Sequence, residues 1–147
     1  MQGLTHIDHF KKRDLFPQLT FCWENLIVDD HTKAYGSDYK DSFGLKVADY
    51  DRIINPVDDD PHDYFEYLTS GEIIAKEGAD KAKAEFTIKV FNLNERSLVC
   101  ERESMIKNIV FMKKGGTTSS EILRSLKNIP FPSVAEYFCQ PDIFEAL

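Results

Sequence analysis

The chain has only three cysteines in 147 residues, Cys22, Cys100 and Cys139, and none of them stands in a CxxC pair. An odd, scattered count in apolar surroundings reads as buried, reduced thiols of a cytoplasmic protein rather than a disulfide frame or a zinc site. No run approaches the roughly 20 apolar residues that cross a bilayer, so no membrane partner is expected. The first thirteen residues hold charges and two histidines but no apolar stretch, which speaks against a signal peptide. Basic residues are in deficit: 18 Lys and Arg stand against 25 Asp and Glu, a formal charge of −7. A general nucleic-acid binder needs a basic face to displace counterions, so nucleic acid is not expected as a partner. There is no glycine-rich phosphate loop, no G-x-S-x-G, no internal repeat and no low-complexity tract.

The composition describes an ordinary core. Hydrophobic residues make up 42% and charged residues 29%, as in globular proteins. The length predicts a single domain over 1–147, with its core at about 17–114 and a C-terminal helical segment at 118–147.

Residues 1–16 read as a short helical or irregular arm. Residues 19–28, LTFCWENLIV, are apolar enough for a central strand, and Asp29-Asp30 end it. Ser37 has the chemistry of an N-cap, with Asp38 and Asp41 in the first turn. Tyr39, Phe43, Val47, Tyr50 and Ile54 then fall on one helical stripe, which predicts a helix over 38–54 that accommodates Gly44. Tyr64 to Leu68 reads as a short strand, although Asp60-Pro61 before it is also a helix-start signal, and 72–77 as another. Ala84, Phe86, Ile88 and Val90 alternate with polar residues, predicting a strand. Asn92 to Glu95 turns the chain, and 98–112 returns as a long strand. Ser119 or Ser120 caps a helix carrying Ile122, Leu123, Leu126 and Ile129, which Pro130 and Pro132 stop, and 133–147 forms one or two further helical turns.

Three segments resemble the hotdog fold, and within it the acyl-CoA thioesterases of the 4-hydroxybenzoyl-CoA type. They are the loop DDHTKAYGSDY, the stretch from Ser70 to Lys114, and LKNIPFPSVAEYF, and the resemblance they carry covers about 19–137. The resemblance implies an α+β fold, a hotdog-like antiparallel sheet wrapped around a central helix, with C-terminal helical turns. It also implies a thioester hydrolase acting on an acyl-CoA or an acyl carrier protein. No cofactor or metal is implied, and a homodimer or homotetramer would build its sites between subunits. Such chemistry needs a carboxylate and an oxyanion donor. Asp30 and Asp29 are the catalytic candidates, with His31 as an assisting base. The backbone amides of Gly36 and Ser37 are the candidate oxyanion donors, Tyr35 the residue closing over an acyl chain, and Tyr39 a further substrate-binding candidate. The family places its acid three residues before the loop glycine, where this chain has Lys33. The alternative is a non-catalytic acyl-ligand binding or protein-interaction module.

Other clusters are set aside at this level. His6-Ile7-Asp8-His9 offers imidazoles and a carboxylate, but too few ligands on a short arm to define a metal site. Asp58-Asp59-Asp60 lacks EF-hand spacing and reads as a solvated acidic turn. Asp38-Tyr39-Lys40 matches a nuclease-like D-x-K element, but it lies at a helix start with no apolar strand around it.

Overall fold

The structure is a computed structural model that describes residues 5–30, 32–78, 80–126 and 130–147. It combines helices with two small antiparallel sheets. Strands β1 (Thr5–His9) and β2 (Leu26–Asp30) pair in register, with His6 opposite Asp29 and Ile7 opposite Val28. The arm expected to be irregular therefore supplies a strand. The strand expected over 19–28 is extended only at its end, because residues 17–19 and 23–25 form 3₁₀ turns. Asn25 causes this. Its side chain is buried and clips the connection shut, accepting from Lys11 N at 2.7 Å and donating to Lys11 O at 3.0 Å.

Helix α1 (Gly36–Ser42) is much shorter than the helix expected over 38–54. Gly44 ends it by adopting φ +81°, a left-handed conformation that breaks the helical ladder rather than being accommodated in it. The chain resumes as a 3₁₀ turn at Val47–Arg52, which leads Tyr50, Ile53 and Ile54 into the core while Val47 stays exposed. Ser37 is not the N-cap. Tyr35 holds that position, and the Ser37 N–H is satisfied by the carboxylate of Asp29.

The largest correction falls on residues 81–114. Helices α2 (Lys81–Phe91) and α3 (Arg96–Lys114) stand where two long strands were expected, so these residues do not form the sheet of a hotdog fold. In α2 the buried residues are Ala84, Thr87 and Val90, a helical spacing that the apolar alternation of Ala84, Phe86, Ile88 and Val90 conceals. Asp80 caps it by accepting from Lys83 N at 3.0 Å, and Asn92 closes it at φ 51°. In α3 the buried set is Leu98, Arg102, Met105, Ile106 and Ile109, one helix face again. The turn expected at 92–95 is present between the two helices.

Strands β3 (Phe65–Tyr67) and β4 (Ile73–Ala75) form the second sheet where the two short strands were expected. Helix α4 (Ser119–Ser125) begins at a Thr118–Glu121 capping box, one residue ahead of the serines proposed, and Ile129 lies outside the described residues. Helices α5 (Pro132–Phe138) and α6 (Pro141–Ala146) are the C-terminal helical turns. No helix among the described residues is long and apolar enough to cross a membrane.

Two compact units can be distinguished. The first holds the chain up to Phe65 and Ala75–Glu95, and packs around Phe10, Tyr50, Ile53 and Val90. The second holds Glu66–Ile74 and Arg96–Leu147, and packs around Ile106, Ile109, Ile122, Val134 and Phe138. Cys139 lies in that core as expected, whereas Cys100 is exposed.

Candidate metal centre

The β1–β2 hairpin turns an unusual pair of faces to its surroundings. Ile7 and Val28, cross-strand partners, lie on the open side at 63% and 73% exposure. By the two-residue period of a strand, His6, Asp8 and their partners Asp29 and Ile27 belong to the other side, where Ile27 packs on the core around Phe10 and Tyr50. Helix α1 attaches to the polar side through the Asp29 carboxylate, which accepts from Ser37 N and also, through Oδ1, from Asp30 N at 2.8 Å. Gly36 is required there. It sits at φ +75°, and a Cβ on it would come within 2.7 Å of Asp29 Oδ1.

That attachment brings Asp38 from α1 to His6 and Asp8 from β1. One ligand atom of each lies within 4.8 Å of the others, and all three side chains are half-buried. The His6 Nε2 to Asp8 Oδ2 distance is 3.7 Å. One imidazole and two carboxylates suit a divalent ion such as Mn²⁺ or Zn²⁺, with coordination positions left for water or substrate oxygen.

Two further contacts hold the same corner. Lys40, two residues beyond Asp38, has a fully buried side chain. Its Nζ donates to the His9 carbonyl at 3.3 Å and to the Asp41 carboxylate, and it lies 5.8 Å from the Tyr50 ring centroid. It therefore ties α1 to the end of β1. His9, next in the chain to Asp8, places its Nε2 at 2.9 Å from the carbonyl of Thr20. A carbonyl only accepts, so Nε2 is the donor in this contact.

Among the described residues, those singled out from the sequence are held by local contacts around the β2–α1 turn. Asp29 is the latch between β2 and α1. Asp30 is exposed, and its Oδ2 accepts from the Tyr35 hydroxyl at 3.3 Å. His31 lies outside the described residues. The Ser37 amide expected to stabilise an oxyanion is occupied by Asp29, and Gly36 serves the backbone turn. Tyr39 is half-buried on α1, where its carbonyl accepts from the Ser42 hydroxyl at 2.7 Å. Lys33, at the position the resemblance assigns to an acid, is exposed.

The acidic run at 58–60 is a hydrogen-bonded turn. Asp58 accepts from Asn55 Nδ2 at 2.6 Å, and Asp60 from His62 N at 2.9 Å. Asp59 binds Lys83 at 2.9 Å, and also Asn55 N and the Tyr64 hydroxyl. Burial alone would raise the Asp59 carboxyl, but the Lys83 ammonium and these donors hold it below the usual range.

Sequence reasoning set aside His6, Asp8 and Asp38 alike. The signals were there, in the D-x-K element and the His-x-Asp-His run, yet the two lie on separate elements and only the fold joins them.

No family model matches the chain. It is similar to the Septu protein PtuB of Bacillus mycoides (strain KBAB4), with 30% identity over 124 residues, covering 77% of this chain and 39% of that protein. The chain thus spans about two fifths of the length of the curated relative it matches.

Proposed function

We propose that the hairpin–helix unit binds a divalent cation through His6, Asp8 and Asp38 and hydrolyses a phosphodiester, with nucleic acid as the substrate class. The observation that carries this reading is the convergence of the three ligand atoms within 4.8 Å on a hairpin whose polar face is turned to the helix. The cation would polarise a phosphoryl oxygen and stabilise the leaving oxygen. We assign the proton of the attacking water to His9 Nδ1, because His9 follows Asp8 directly at the end of β1. The new P–O bond forms as the opposite P–O bond breaks, and the departing alkoxide takes a proton from solvent. The carbonyl of Thr20 holds the imidazole for this role, and Asn25 holds the connection that carries Thr20 through its bond to the Leu19 carbonyl.

The charge distribution supports an anionic substrate despite the overall balance. Ten acids and two bases fall within residues 47–80, which more than accounts for the net −7. Lys11, Lys12 and Arg13 leave the end of β1 directly after the site. The thioester reading needs a sheet from residues 84–112 around a central helix, whereas 84–91 and 96–112 are helical.

The test is calorimetric titration with Mn²⁺, Mg²⁺ and Zn²⁺, followed by cleavage of a plasmid and of a labelled oligonucleotide with each ion. Binding that disappears in Asp8→Asn and in Asp38→Asn, with cleavage lost in parallel, is the expected result. Absence of binding for every ion would overturn the reading.

A further inference from the structure

The connection between β1 and β2 displays two aromatic side chains to solvent. Phe21 is 97% exposed and Trp23 78% exposed. Their backbone is not slack. Residues 17–19 and 23–25 are 3₁₀ turns, Cys22 N donates to Leu19 O at 3.1 Å, and Phe10 N donates to Asn25 O at 2.9 Å. The segment also carries Lys11, Lys12 and Arg13 against Asp14 and Glu24, an excess of positive charge in a chain of −7. Glu24 accepts from the Cys22 thiol at 3.0 Å. Thr20, whose carbonyl holds His9, immediately precedes Phe21.

We infer that Phe21 and Trp23 form a stacking platform for the bases of a single-stranded nucleic acid, with Lys11, Lys12 and Arg13 meeting its phosphates. The inference rests on the hydrolytic reading of the adjacent site and names the form of its substrate. Every base has a π-face, and a solvent-facing aromatic ring on a hydrogen-bonded backbone is a surface that receives it. In a duplex those faces are already stacked, so the platform selects strands whose bases are free. The neighbouring cations supply the salt-dependent part of the binding.

Trp23 is the chain's one tryptophan, so its emission reports on the platform directly. The full chain is titrated in EDTA with a fluorescein-labelled oligodeoxythymidylate of about 12 nucleotides, within the range of known single-strand site sizes. Anisotropy and Trp23 quenching are read together. The expected result is saturable quenching, with affinity falling about 5- to 150-fold in Phe21→Ala and again in Trp23→Ala, the range alanine substitution gives for a stacked base. Trp23→Phe keeps most of the affinity, and a duplex of the same length binds more weakly. Both side chains lie outside the core, and circular dichroism verifies that the variants fold.

Unchanged affinity in both alanine variants, or equal binding and quenching by the duplex, would overturn the platform. Cleavage is assayed separately with metal. Hydrolysis with unchanged affinities sinks the platform alone, whereas aromatic-dependent binding with no hydrolysis under any ion sinks the metal reading alone.

Discussion

The two compact units use the same kinds of residue to opposite ends. In the second, α3, α4 and α5 turn Ile109, Ile122 and Val134 inward at 0% exposure, and charged residues such as Glu101 and Lys107 face solvent. In the first, the hairpin keeps Ile7 and Val28 outside and turns His6 and Asp8 toward its helix. The helical unit follows the hydrophobic rule. The hairpin departs from it, and a departure held by a glycine turn, a carboxylate latch and a buried lysine is one that the surrounding structure maintains.

The sharpest way to break this comparison is to exchange the consequences of mutation. His9→Ala should lower hydrolysis about 10²- to 10⁴-fold, the usual contribution of a general base, with little change in the unfolding midpoint. A steady-state cleavage assay beside thermal melting decides it, and an undiminished rate would remove His9 from the site. Ile109→Ala in the second unit should do the reverse. It should cost about 2–5 kcal/mol of stability in urea unfolding, because a fully buried side chain leaves a cavity.

Lys40→Met sharpens the comparison from inside the first unit. It removes a buried donor from the His9 carbonyl and leaves Asp41 without that ammonium, at a cost of about 1–3 kcal/mol. If Lys40 sets the spacing of Asp8 and Asp38, the Mn²⁺ affinity falls as well. An equally destabilising Val90→Ala should leave that affinity alone. A similar loss of affinity in both variants would make Lys40 merely structural.

Gly36→Ala should cost about 1–3 kcal/mol through strain at positive φ and displacement of Asp29. Hydrogen exchange at the Ser37 amide would register the opened latch. The smallest effect is that of Asp59. Its folded-state carboxyl lies below the unfolded value, so its contribution is fully present above the unfolded pKa and is lost as pH falls through the folded one. Acid titration of stability should therefore be shallower in Asp59→Asn than in the wild type, and equal slopes would refute it.

What was legible in the sequence depended on whether the core was apolar. Strands β3 and β4, the 92–95 turn and the C-terminal helices follow from turn residues, caps and prolines that act locally. Helices α2 and α3 were read as strands because their buried faces include Thr87 and Arg102. Thr87 Oγ1 accepts from Ile54 N at 2.9 Å and donates to Lys83 O at 2.8 Å, so a polar residue occupies a core position of the helical period. With Thr87 counted as surface, the period appears to be two. The metal candidates were visible as residue types, but their convergence depends on the hairpin register and on where α1 begins, and neither is a local property.

Gly71 carries a consequence for anyone altering this protein. It is buried at φ +88°, its carbonyl accepts from Arg102 Nε at 2.6 Å, and a Cβ there would meet the backbone of α3, with Glu103 N at 2.8 Å. A turn between two short strands is where an engineer would first place an epitope tag or open the chain for circular permutation. Here that choice fails, because the turn is pressed against helix backbone on one side and held by a guanidinium on the other. In a saturation library, position 71 should be as intolerant as any core isoleucine, although it has no side chain. The neighbouring Thr69 and Ser70, both exposed, should accept nearly anything.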